Sequence, residues 1–188
     1  MKRHLLTGFF LLCIFTAFSQ TTYSWVGGAN GAWGTAANWN PARTTPATND
    51  ILVFDGVSIG GPVLTQPSSE TIGQLVLEAN ADLTLERTST AGTSTLTIGG
   101  ASGTDLSISS DSKLTLQSAA TFNTVMIMAS GTTGEVSGNV VITGGGNNRI
   151  SVKDAGALSF LAGSAAAGNS ATSPFSTTTA GTTGSALH

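Results

Sequence analysis

The chain is short of the residues that carry most protein chemistry. It has one cysteine, two histidines, five prolines, one tyrosine and three tryptophans in 188 residues, and only 9% of it is charged. Cys13 has no second cysteine to pair with, so no internal disulfide can form. His4 and His188 stand at opposite ends of the sequence. Ser-His-Asp triads, Cys-His dyads and zinc sites of the His/Cys type therefore lack their parts. Seven basic against ten acidic residues leave a formal charge of −3. So sparse and mildly acidic a chain offers no electrostatic footprint for nucleic acid. No cofactor or metal is expected.

What the sequence does contain begins with "MKRHLLTGFFLLCIFTAFSQ". Lys2 and Arg3 precede an apolar run over 5–18, and "AFS" supplies a small-x-small cleavage site. These features read as a secretory signal peptide over 1–19, cut between Ser19 and Gln20. The apolar run of about 14 residues is too short to cross roughly 30 Å of hydrocarbon as a helix. No membrane span is therefore expected after cleavage. Leu12 is not small and Cys13 lies mid-run, which excludes a lipoprotein signal. The remainder is expected to be secreted or held at the cell surface, without His4 or Cys13.

Ser and Thr together number 51, a composition that can mean disorder unless the apolar residues are ordered. They are ordered. From residue 71 the runs "QLVLE", "DLTLE", "STLTIG", "DLSIS", "KLTLQ", "VMIM", "NVVIT", "RISVK" and "ALSFL" alternate apolar with small polar residues. Period two over short segments marks strands buried on one face, and no helical period competes. Proline is absent between Pro67 and Pro174, as suits backbone committed to pairing. The runs also repeat. Leu75, Leu77, Leu83 and Leu85 match Leu106, Ile108, Leu114 and Leu116. Ile150, Val152, Leu158 and Phe160 offer a third copy, with extra residues between the second and third. The pattern predicts an all-β protein, a right-handed parallel β-helix whose coils over 71–161 stack their aliphatic ladders. An antiparallel β-sandwich is the alternative. Residues 162–188, rich in Ser, Thr, Gly and Ala, are expected to be an interrupted or disordered tail of a longer polypeptide.

All three tryptophans fall in "WVGGANGAWGTAANWNP". Two roles compete for Trp25, Trp33 and Trp39 with Asn38 and Asn40. They could stack on sugar rings, with Asn30 also at hand, or they could close the open end of the helix. An uncapped end exposes unpaired backbone groups, and flat side chains cover it well, so a cap over 20–70 is the favoured role.

The opening, continued by "PATNDILVFDG" and "ETIGQLVLEANADLTLE", resembles the start of long adhesin-like surface proteins of Gram-negative bacteria. Similar openings precede autotransporter-associated β-strand repeats and β-helices exported by the type IX route. The resemblance implies a cap leading into a β-helix, and a structural or adhesive role at a glycan, host or neighbouring cell surface. End-to-end self-association is expected of such a stack.

Two further features are weighed as sites. "GGASGTD" (99–105) approaches a calcium nonapeptide but has one residue too many and occurs once, so it reads as a glycine corner. Glu78, Glu86, Asp82, Asp105, Asp111, Glu135 and Asp154, with Arg87, Lys113, Arg149 and Lys153, read as surface ladders, Asp82 one coil below Lys113. A polysaccharide lyase or hydrolase would need carboxylates converging in a groove. No sequence feature marks such a pair, and a non-catalytic protein is expected.

Overall fold

A strand of four to seven residues with one apolar face cannot bury that face alone, so it must stack on copies of itself. The computed structural model of the protein describes residues 20–61, 63–65, 69–87, 92–100, 103–119, 122–168, 175–178 and 186–187. Residues 1–19, the segment expected to be a signal peptide, lie outside the described residues.

Two short strands come first, β1 (Thr22–Trp25) and β2 (Trp39–Asn40), paired antiparallel. Strands then arrive in threes. The first coil is β3 (Ile51–Asp55), β4 (Val63–Thr65) and β5 (Glu70–Ile72). The second is β6 (Gln74–Glu78), β7 (Asp82–Arg87) and β8 (Gly92–Ile98). The third is β9 (Leu106–Ile108), β10 (Lys113–Ser118) and β11 (Phe122–Met128). The fourth is β12 (Thr133–Val136), β13 (Asn139–Ile142) and β14 (Arg149–Lys153). A fifth follows, β15 (Ala157–Phe160), β16 (Ala165–Gly168) and β17 (Phe175–Thr178), and β18 (Ala186–Leu187) starts another.

Each coil gives one strand to each of three sheets, in the orders β18-β15-β12-β9-β6-β3-β1-β2, β16-β13-β10-β7-β4 and β17-β14-β11-β8-β5. Every pairing except β1 with β2 is parallel, so the architecture is a β-solenoid of about five turns and the sandwich alternative is excluded. The inward ladders are continuous. On the first sheet Leu52, Leu75, Leu106, Gly134 and Leu158 follow one another, beside Phe54, Leu77, Ile108, Val136 and Phe160. Each fully buried aliphatic side chain contributes about 1.5–3 kcal/mol, which lets the stack hold without a disulfide.

The first two repeat copies have the expected register: Leu75 pairs with Leu106, Leu77 with Ile108, Leu83 with Leu114 and Leu85 with Leu116. The third copy does not. Ile150 and Val152 lie on Met126 and Met128 in the third sheet, and Leu158 and Phe160 return to the first. A whole turn intervenes, in which Val140 and Ile142 occupy the slots above Leu114 and Leu116. That turn is inconspicuous because its inward slot holds Gly134. A Cβ there would lie 2.7 Å from Leu158 Cδ1 and 2.8 Å from Met128 Cε, so neighbouring side chains already fill the space.

Stacking also begins earlier than residue 71, because β3, β4 and β5 form the first coil inside the 20–70 segment. In the 162–188 segment, β16, β17 and β18 pair in register with β13, β14 and β15, and residues 169–174, 179–185 and 188 of the expected tail lie outside the described residues.

Candidate functional site: the plugged N-terminal end

The tryptophans lie at the N-terminal end of the stack. Trp25 is 0% exposed and Trp33 and Trp39 are each 2% exposed. Phe54, an inward residue of β3 two positions after Leu52, is their common partner. Trp25 and Trp33 stack on it at 5.4 Å and 6.0 Å between centroids, each inclined by 27°. Trp39 stands edge-on to all three, 4.9 Å from Trp25, 5.3 Å from Trp33 and 5.6 Å from Phe54. Edge-to-face packing of this kind adds to the large apolar area the rings bury. No indole face is left open for a sugar ring.

Each indole N–H has a partner, as burial demands. Trp25 Nε1 donates to Gly28 O at 3.0 Å, Trp39 Nε1 to Trp33 O at 2.9 Å, and Trp33 Nε1 to Glu70 Oε1. Glycines let the loop lie flat on the plug. A Cβ on Gly27 would come within 2.7 Å of Trp25 Cζ2, and one on Gly31 within 2.8 Å of the same atom. Asn38 serves the loop as well: its Nδ2 donates to Ala32 O at 2.8 Å, and its carbonyl accepts from Val26 N at 2.8 Å. Asn40 is exposed, pairs with Ser24, and precedes Pro41 through a cis peptide bond.

Behind the plug lies a feature the sequence reading missed. Arg43 is buried, with Nε 2.8 Å from Asp50 Oδ2 and its two terminal nitrogens 3.1 and 3.2 Å from the Glu70 carboxylate oxygens. The guanidinium carbon stands 5.9 Å from the ring centroids of both Tyr23 and Trp39. Burial works against the charge on Arg43, but the hydrogen bonds it donates to Glu70 and Asp50, with the attraction of their negative charges, outweigh it and hold its pKa above the ordinary value. Ala47 N also donates to Asp50 Oδ2, at 2.9 Å. The cluster joins the cap loop to β5 and to the approach to β3.

Register explains why Glu70 is there. It pairs with Leu96, so it occupies an inward slot of the third sheet, with Ile72 two residues on. On the second sheet the inward Thr65 pairs with Leu85 and donates from Oγ1 to Gly31 O at 2.9 Å. The first coil thus carries polar residues in two inward slots, and the cap satisfies both. "ETI" has the period that could have revealed Glu70; Arg43, in an irregular loop, had no such signal.

Among the other carboxylates, Asp82 lies beside Lys113 in register, Oδ2 to Nζ 2.8 Å, as a half-exposed pair of small energetic weight. Asp105, in the glycine corner, is buried and accepts from Thr133 N at 2.8 Å. It braces one coil against the next. Glu78, Glu86, Asp111, Glu135 and Asp154 belong to different strands and corners. Among the described residues no group of three or more His, Cys, Asp or Glu could hold a metal ion. No helix among them is long and apolar enough to cross a membrane.

Other buried polar side chains likewise serve the backbone of an adjoining coil. Ser112 Oγ accepts from Ala81 N at 3.1 Å, and Asn148 Oδ1 accepts from Thr124 N at 2.7 Å. No protein family, curated protein or solved structure matches the chain.

Proposed function

We propose that the chain is an exported, non-catalytic structural or adhesive section of a β-solenoid surface protein, delivered through its N-terminal leader. The observation that carries the reading is how the buried and half-buried polar groups are used. Arg43, Asp50, Glu70, Asp105, Ser112 and Asn148 all hold backbone or cap in place. A protein built to present a surface needs such internal bracing, together with an end that does not recruit strands.

Contact with glycans or with a host or neighbouring cell would fall to the outward sheet faces, where Thr, Ser and scattered charges stand. At the capped end the first sheet finishes on two-residue β2, and Pro41 beyond it has no N–H to donate.

N-terminal sequencing of material recovered outside expressing cells tests the export, with Gln20 as the expected first residue. Retention inside the cell with residues 1–19 still attached would refute it. Incubation with acidic and neutral polysaccharides should leave their chain lengths unchanged; cleavage would overturn the non-catalytic part.

A further inference from the structure

The cap loop contains the sequence's single Asn-Gly pair, Asn30–Gly31. Asn30 is exposed in a turn. Neither its side chain nor the Gly31 N–H forms a hydrogen bond among the described residues. Gly31 also has no Cβ to shield its own amide nitrogen or to restrict its rotation toward the preceding side chain. Asn147 is exposed as well, but neither it nor Asn148 is followed by a glycine. Asn147 N donates to Asn123 Oδ1 at 2.6 Å, and the buried Asn148 is held through both side-chain atoms.

We propose that Asn30 is a self-modification site. The Gly31 nitrogen gives up its proton to solvent and bonds to Asn30 Cγ, and the side-chain nitrogen leaves as ammonia, closing a five-membered succinimide. Water then adds to one of the two ring carbonyls and opens the ring. The product at position 30 is an aspartyl or an isoaspartyl residue, and water is the only co-reactant.

The isoaspartyl product inserts a methylene into the main chain just before Gly31, where there is no slack. A Cβ on Gly31 would already be 2.4 Å from Gly27 O and 2.8 Å from Trp25 Cζ2. Its carbonyl is fixed by Thr65 Oγ1. Lengthening the chain there lifts Gly31 off Trp25 and releases Thr65 from the cap. The modification therefore loosens the plugged end slowly and irreversibly, whatever the protein's cellular role.

The test is to age the purified protein in mildly alkaline and mildly acidic buffer, then map isoaspartate by peptide mass spectrometry and enzymatic methyl transfer. Conversion at Asn30 should run at least several-fold ahead of Asn147 and Asn148, and should slow in acid. Quencher access to tryptophan should rise in step with the isoaspartyl fraction. Asn30→Gln should abolish both changes. Freshly prepared Asn30→Asp, which adds the charge without the extra methylene, should keep its tryptophans protected. An intact Asn30 beside converted asparagines elsewhere would overturn the site. Isoaspartate at position 30 with unchanged quencher access would overturn its effect on the cap.

Discussion

Taking a guanidinium out of water costs several kcal/mol unless paired charges and hydrogen bonds replace its hydration. At Arg43 two carboxylates and two aromatic rings do so. Arg43→Met would leave Asp50 and Glu70 facing each other without their cation, and should cost about 3–5 kcal/mol, the usual range for breaking a buried pair. Arg43→Lys should recover part of that, because a point charge cannot bridge both carboxylates as the planar fork does. Urea denaturation of the three proteins measures the difference. Asp55 tests charge at a more open position. Its carboxylate accepts from Ser58 Oγ at 2.7 Å and Val57 N at 3.0 Å, capping α1 (Gly56–Ile59), and these bonds hold its pKa below the ordinary aspartate value. A folded-state pKa below the unfolded one stabilises above the unfolded value, and the effect disappears as pH falls through the folded one. The stability gap between wild type and Asp55→Ala should therefore be complete near neutrality. It should narrow once pH drops below about 4, and a gap independent of pH would remove the carboxylate from the cap's energetics.

At the scale of a strand, inward and outward positions should answer differently to the same charge. Leu116 lies between Leu85 and Ile142 in the second sheet, fully buried. Leu116→Asp puts a carboxylate there with no partner and should cost several kcal/mol, at least the roughly 2–5 kcal/mol of a Leu→Ala cavity. The neighbouring Thr115 faces outward but is 7% exposed, walled in by Thr84 and Val141. Thr115→Asp should thus be measurable yet clearly milder than Leu116→Asp in thermal unfolding. Gly134 gives the complementary test on the first sheet. Gly134→Val should overpack Leu158 and Met128 and destabilise by about 1–3 kcal/mol. Gly134→Ala should be tolerated better, because the atoms it meets are the far ends of flexible side chains.

For the whole molecule, a stack of coils is stabilised by each neighbouring pair, and its ends are its weakest points. The plug gives one end three tryptophans, Phe54 and the Arg43 cluster. Tryptophan emission in the native protein should accordingly be blue-shifted and resistant to acrylamide. Titration with glycans should leave it unmoved; a red-shifted, quenchable native spectrum or a glycan-induced shift would mean that the rings are open to ligand. Trp33→Ala should raise quencher access at the remaining two tryptophans and lower the midpoint of unfolding, since it removes a stacked ring and the hydrogen bond to Glu70 together.

Alternation by itself determined the secondary structure, because a period of two at small polar spacing has no other stable use, and the 31-residue offset placed β9 and β10 correctly above β6 and β7. It did not determine how many strands make a turn. Two leucine pairs looked like a whole repeat, since the third strand is written in Thr, Met and Val and the fourth coil replaces a leucine with Gly134. Only the tertiary structure could resolve that, because an inward slot can be filled by side chains from the coils beside it. The same holds at the cap. Clustered tryptophans and glycines announced a special segment, but the chain alone could not tell a covered ring from an exposed one. Burial of the indoles depends on Phe54, Glu70 and Arg43, which lie far apart in sequence and meet only when the first coil closes beneath the loop.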